Sequence, residues 1–317
     1  MSFSAMTKAE MARVMPRKRC CQIAELTAII GMDGTVKGGA HGEPALIMSS
    51  QSAPVARKIY KLCKLLLQPL AIQVAVTKKP NLKKRNVYHV LIPYQSGARE
   101  AFAPLGLSFA GEGWQVNWRP IALEKRCCQK AYLRGAFLGG GSVNDPEGTY
   151  HLEMITRDPV HSQTICEVMS FFDLSPRISE RKQYHVVYLK ESDQIVQFLN
   201  VAGAHRALLE FESTRVVKDM RNRVNRLVNC ETANLSKTVD TGVRQVEMIR
   251  LLEEKMGLEK LPLPLREIAR LRLEFPDASL RELGQMLDPP IGKSGANHRL
   301  RKLEEMAKEL EVGQGRK

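Results

Sequence analysis

Two sets of side chains in this 317-residue chain carry recognisable chemistry. The first lies near the C-terminus, where Lys293, Ser294, Asn297, His298, Arg299, Arg301 and Lys302 crowd into one short segment. These are hydrogen-bonding types suited to base edges and phosphates. The second is the stretch 44–99, which holds ten Lys or Arg and no Asp or Glu. Five of those bases, Lys78, Lys79, Lys83, Lys84 and Arg85, cluster in one turn. A solubilising face needs no such exclusion of acids, so the stretch is expected to meet phosphates. Such contacts position nucleic acid without reading its sequence. Residues 213–245 add a further basic segment. Arg215, Lys218, Asn222 and Arg226 recur there at helical spacing, with Arg221 between them. Val217, Met220, Val224, Leu227 and Val228 mark the other side. That helix either lies along a phosphate backbone or is a solvated linker.

Composition limits the alternatives. The net charge is +14 and the pI about 9.5. A chain that basic most often meets a polyanion, nucleic acid first and an anionic membrane surface second. Hydrophobic residues at 44% and charged residues at 26% are an ordinary globular balance. No apolar run reaches the ~18 residues of a membrane span. The N-terminus has charges where a signal peptide has its apolar stretch, so nothing points to export. With a nucleic-acid partner, a cytoplasmic, nucleoid-associated protein is expected. The seven cysteines include two adjacent pairs and no CxxC, which is neither a disulfide framework nor a zinc pattern. Reduced thiols are expected, with no metal. No cofactor is indicated either, because Gly139, Gly140 and Gly141 close a helix and do not open one after a strand.

An internal repeat supplies the elements that position these residues. Residues 19–36 (RCCQIAELTAIIGMDGTV) and 126–143 (RCCQKAYLRGAFLGGGSV) share eight of 18 positions at a constant offset of 107. Alternating and helical stretches follow each copy in one order, and Tyr-His-Val recurs at 88–90 and 184–186. Each unit reads α-β-β-α-β-β-α, over about 19–105 and 126–212, within a duplicated domain spanning 1–212. Leu26, Ile29 and Ile30 share a face before Gly34, as Leu133, Ala136 and Phe137 do before Gly139. Small residues (Ala24, Ala28, Gly31; Ala131, Gly135, Ala136) suit a close approach of the two helices at a pseudo-twofold axis. One chain then suffices for the whole domain, so a monomer is enough.

Linker helices are expected over 213–260, then a helical domain over 261–317 that begins at the prolines of LPLPL. Ser279 and Glu282 form a capping box for a short helix, 280–287. A turn, 288–292, leads to a longer helix, 294–310, with Ala296, Leu300, Leu303, Ala307 and Leu310 apolar. The motif over 278–311 is a helix-turn-helix, whose second helix enters the major groove N-terminus first.

The segments LTAIIGMDG and LRGAFLGGG resemble the two LAGLIDADG motifs of single-chain homing endonucleases. In that family two αββαββα units form a saddle of strands over DNA, and an acid near the end of each motif binds divalent metal. By position that acid is Asp33 in the first copy, while the second has Gly140, which carries no ligand atom. The resemblance therefore implies lost cleavage, and Asp33 is expected to be a solvated acid at a helix end. Residues 221–239, residues 293–302 and YLRGAFLGGGSVNDPEGTYHLE also resemble the WhiA family over nearly the whole chain. This implies an α+β fold, a degenerate homing-endonuclease domain followed by an all-α helix-turn-helix domain. It also implies a non-catalytic regulator that binds double-stranded DNA and is linked to cell division, chromosome segregation and, in some lineages, sporulation. Other transcription or cell-division proteins are a further class of partner. Two other functions compete: an active metal-dependent nuclease in which Asp145 replaces the missing acid, and a protein-interaction scaffold.

Overall fold

The computed structural model describes residues 2–38, 44–78, 86–110, 115–118 and 123–314. They divide into two compact units, Met1–Lys218 and Asp219–Lys317. The first begins with α1 (Phe3–Arg13), a helix beyond the repeat pattern of the sequence. Ser2 caps it by accepting from the Ala5 amide at 3.3 Å. Phe3, Thr7 and Met11 recur every four residues and are buried.

Two copies of one motif follow. The first is α2 (Arg19–Asp33), β1 (Thr35–Gly38), β2 (Pro44–Ser50), α3 (Ala53–Leu66), β3 (Gln73–Lys78), β4 (Asn86–Pro93) and the short α4 (Ala98–Phe102). An unforeseen hairpin, β5 (Leu107–Ala110) and β6 (Gln115–Trp118), comes next. The second copy is α5 (Arg126–Gly140), β7 (Gly141–Val143), β8 (Leu152–Thr156), α6 (Pro159–Ser170), β9 (Arg177–Arg181), β10 (Tyr184–Leu189) and α7 (Ser192–Ala202). The expected αββαββα order holds in both. Each copy builds a four-stranded sheet of one topology, β1-β2-β4-β3 and β7-β8-β10-β9. Alternation sorts the strand residues. Leu46, Met48, Val90 and Ile92 are buried, while Ser49 and His89 lie on the other face.

The duplicated helices α2 and α5 pack on each other through the expected small residues. Ala24, Ala28, Ala131 and Ala136 are all buried, and a Cβ on Gly135 would overlap the Glu25 carbonyl oxygen. The helix-ending glycines have a different reason from the one expected. Gly34 and Gly141 have φ of -63° and -85°, so neither is a left-handed cap. They are glycine because a Cβ would strike Ile30 and Phe137 of the preceding turn.

A buried ionic triad fastens this axis. Arg134 of α5 donates to Glu25 of α2 through Nε at 2.9 Å and Nη2 at 3.1 Å. Lys58 of α3 pairs with the same carboxylate and donates to the Met11 and Val14 carbonyls at 3.0 and 2.6 Å. Burial pulls the Lys58 ammonium down to about 8, against the opposing pull of Glu25. Lys58 belongs to the acid-free stretch, yet it is a core residue and reaches no phosphate.

In the segment 213–260, one helix replaces the separate linker helices expected. It is α8 (His205–Met256), 52 residues long, followed by a 3-10 turn at Leu258–Lys260. From 212 to 241 no residue is buried. Val217, Met220, Val224, Leu227 and Val228, the apolar side of this amphipathic segment, are exposed.

The second unit contains α9 (Leu263–Glu274), α10 (Leu280–Gln285) and α11 (Lys293–Gln314). Pro262 is the N-cap of α9 and Pro264 lies in its first turn, where a missing N–H costs nothing. Ile249 and Leu252 share a core with Ile268, Leu283, Leu287, Ala296, Leu300 and Leu303. Among the described residues, no helix is long and apolar enough to cross a membrane.

Candidate nucleic-acid interface

The helix-turn-helix is built on caps and one tight approach. Ser279 Oγ accepts from the Glu282 amide at 3.3 Å, and Glu282 accepts from the Ser279 amide at 2.7 Å. This is the expected capping box at the start of α10. Hydrogen bonding from the Ser279 amide, then from its side chain, holds the Glu282 carboxyl below its ordinary range. The Ile291 amide donates to the Gly284 carbonyl at 2.8 Å, and a Cβ on Gly284 would overlap the Ile291 oxygen. The buried Arg272 donates through Nη1 to the carbonyls of Pro276 and Ala278, at 3.0 and 2.6 Å, fixing the loop before α10. Arg272 looks like one more surface base in the sequence, so its role was not foreseen.

These supports leave one side of α11 in solvent. Ala296, Leu300, Leu303 and Ala307 are buried, and Leu310 packs partly against the same core. Lys293, Ser294, Asn297, His298, Arg301 and Lys302 are exposed. Arg299 departs from the expectation. It is half-buried and donates to the Pro264 carbonyl at 3.3 Å, so it ties α11 to α9.

In the first unit the expected phosphate contacts are scattered. Lys78 ends the exposed edge strand β3. Lys79, Lys83, Lys84 and Arg85 lie outside the described residues. Arg215 pairs with Asp193 and with Glu212, the latter at 2.9 Å, and donates to Ser192 Oγ at 3.3 Å. Lys218 donates to the Gly148 carbonyl at 2.6 Å and sits 4.5 Å from the Tyr150 ring centroid. Both side chains brace the first unit instead of facing open solvent. Arg221 and Arg226 are exposed on α8.

The outer strand faces differ in their polar pairing. In the first sheet, His89 bridges Ser49 and Thr77, each at 2.8 Å, without an acid. In the second, Glu153 meets His151 at 3.2 Å and Glu180 lies 3.8 Å from His185.

A cavity of about 440 Å³ opens where the ends of α2 and β8 meet, lined by Asp33, Ile155, Arg157, Asp158 and Tyr184 among others. It occupies the position at which the homing-endonuclease resemblance places metal. Asp33 is not a freely solvated acid. It is half-buried and accepts from the Ser49 amide at 2.5 Å. Burial pushes its carboxyl up to about 6, while the Ser49 bond and the nearby Lys8 ammonium pull it down. Gly140 lacks room as well as a ligand. Its Cβ would stand 2.5 Å from Met32 Cε and 2.6 Å from the Ile155 oxygen. Asp158 spends one oxygen capping α6, accepting from the Val160 amide at 2.8 Å. Asp145 accepts from the Glu147 amide at 3.1 Å in a neighbouring turn. These residues do not fit a symmetric pair of divalent ions.

Comparison with known proteins agrees with this geometry. Three family models match: the WhiA N-terminal LAGLIDADG-like domain over residues 19–108, the WhiA LAGLIDADG-like domain over 129–221, and the WhiA C-terminal HTH domain over 224–307. A protein of Heliobacterium modesticaldum, named "Probable cell division protein WhiA", is 53% identical over 97% of this chain and 96% of its own length. One of the same name from Desulfitobacterium hafniense is 56% identical over 98% of this chain and 97% of its own. The crystal structure of full-length WhiA from Thermatoga maritima superposes with a TM-score of 0.58 at 28% identity, covering 98% of this chain and 99% of that one. With the duplicated fold, the helix-turn-helix and relatives matched almost end to end, this chain belongs to the WhiA family.

Proposed function

We propose that the protein is a non-catalytic, sequence-specific regulator that binds double-stranded DNA and acts in cell division and chromosome segregation, with sporulation where the lineage has it. The observation that carries this reading is the exposed N-terminal side of α11. Lys293, Ser294, Asn297, His298, Arg301 and Lys302 stand in solvent behind a buried stripe that fixes the helix. In this reading they enter the major groove, while Lys78, Arg221 and Arg226 contact phosphates. The link to cell division rests on the names of the relatives. The cramped Gly140 and the engaged Asp33 support a binding role without cleavage. A protein that reads DNA in this way would reside on the nucleoid.

The test incubates purified protein with random genomic fragments, once with Mg²⁺ and once with chelator, and sequences the bound fraction. The expected result is one enriched motif, uncut in both arms and lost when residues 278–311 are removed. Arg301→Ala should lower the ratio of specific to random binding by about 1–3 kcal/mol. Lys78→Ala should instead lessen the salt dependence by up to about one phosphate contact. Metal-dependent cutting would establish a nuclease and overturn the reading. Neither binding nor cutting would leave a protein scaffold, whose surface would be the exposed apolar residues of α8, among them Val224, Leu227 and Val228.

A further inference from the structure

The two adjacent cysteine pairs meet in space. Cys20 and Cys21 occupy the first turn of α2, and Cys127 and Cys128 the first turn of α5. The four Sγ atoms all lie within 4.8 Å of one another. Cys21 is within hydrogen-bonding reach of Cys127, and Cys20 of Cys128. The offset of 107 that relates the helices turns Cys20 into Cys127 and Cys21 into Cys128. It therefore maps one cross-helix pair onto the other. The pseudo-twofold axis passes between the four sulfurs and makes them equivalent in pairs.

That arrangement selects an occupant. A tetrahedral ion with metal–sulfur bonds of about 2.3 Å sets its four sulfurs roughly 3.8 Å apart. Small side-chain rotations bring the observed sulfurs to that spacing. An iron–sulfur cluster spreads its thiolates around several irons and bridging sulfides, which four sulfurs this close leave no room for. Hard cations such as magnesium prefer oxygen, whereas four thiolates favour zinc. Charge agrees. Four thiolates and one zinc ion sum to a double negative charge. Lys18, Arg19, Lys125 and Arg126 flank the cluster in sequence, and two helix N-termini turn their positive ends toward it. All four residues are free cysteines. Cys21 and Cys128 are buried, Cys20 is half-buried and Cys127 is exposed, which gives an ion a way in.

We propose that Cys20, Cys21, Cys127 and Cys128 bind one zinc ion in a tetrahedral site that fastens the N-terminal ends of the two repeat helices. As each zinc–sulfur bond forms, its thiol releases a proton to solvent, and nothing is oxidised or reduced. The site lies outside the cavity around Asp33 and depends on neither DNA binding nor cleavage.

The experiment uses the full chain, purified with a reductant and without chelator. Elemental analysis should find one zinc per chain. Protein stripped under reducing conditions and titrated with Co²⁺ should develop the intense visible absorption of a tetrahedral thiolate site. That absorption should saturate at one equivalent and disappear when zinc is added. Cys127→Ser alters an exposed thiol and should lose both signals while keeping a native circular dichroism spectrum. Cys20→Ser is a second, independent loss variant. Cys230→Ser, exposed on α8, should keep both. Zinc should raise the melting temperature of the parent protein and leave that of Cys127→Ser unchanged. Reduced protein that takes up no cobalt would overturn the proposal. So would full zinc retention in both Cys127→Ser and Cys20→Ser, or disulfides among these four residues in freshly isolated protein.

Discussion

The two repeat units have the same order of elements and the same sheet topology, yet they differ at their shared axis. Glu25 has Tyr132 as its counterpart at the offset of 107, and Arg134 has Thr27. One side of the axis therefore holds the ion pair and its symmetry mate does not. Thr27 donates instead to the Leu105 carbonyl at 3.2 Å. The ends of the two helices differ in the same manner. Asp33 is held by the Ser49 amide, whereas Gly140 is packed too closely for any side chain. A homodimer repeats every axial feature twice. A fused duplication is free to place an acid on one copy and a guanidinium on the other. The cysteines show the opposite outcome, because each copy carries the same adjacent pair.

The largest test of this asymmetry is Glu25→Gln. It leaves Lys58 and Arg134 buried around a neutral group and should cost about 3–5 kcal/mol in a denaturant melt. Tyr132→Phe, at the matching position, should cost about 1 kcal/mol or less, since Tyr132 Oη has no hydrogen-bond partner among the described residues. Equal losses would show that the axis is energetically symmetric after all.

Gly140→Asp restores the residue type that the homing-endonuclease pattern has there. It should destabilise the protein by about 1–3 kcal/mol through overpacking against Met32 and Ile155. It should also bring no metal-dependent cutting of plasmid DNA. A stable variant that cuts would mean that a missing ligand, and not a lack of space, separates the two copies.

A smaller effect concerns pH. The fold holds the Asp33 carboxyl up at about 6, above the roughly 3.9 of an unfolded chain. Between those values the folded state binds more protons, so this group lowers stability as pH rises from about 4 to about 6. His161 acts in the opposite sense. Burial pulls it down to about 4, so its contribution is complete above about 6.5 and is lost as pH falls toward 4. Asp33→Asn should remove only the first slope. Urea melts of parent and variant should therefore diverge from pH 4 to pH 6 and run parallel above it. Parallel curves throughout would place Asp33 in solvent.

Much of the fold is legible in the residues. The repeat, the alternation of Met48 and Ser49 across β2, and the Ser279–Glu282 box are local patterns, and each folds as its spacing dictates. The exposed side of α11 is legible for the same reason, because a buried stripe at helical spacing defines the opposite face. The misreadings concern groups whose roles depend on distant partners. Lys58, Arg215, Lys218, Arg272 and Arg299 count as free positive charge in the sequence. In the fold they meet a carboxylate, backbone carbonyls or a ring. The stretch from 212 to 241 has the apolar spacing of a packed helix, but spacing says nothing of whether a partner arrives.

The sequence by itself determined the duplication, the class of each element and the helix-turn-helix, because periodicity, caps and turns act between residues a few positions apart. Only the tertiary structure decided which of two symmetric positions would carry charge, why Gly140 must stay glycine, and that four cysteines from two distant pairs share one point. Those outcomes depend on the crossing of α2 and α5, helices that are more than a hundred residues apart in the chain and pack backbone to backbone.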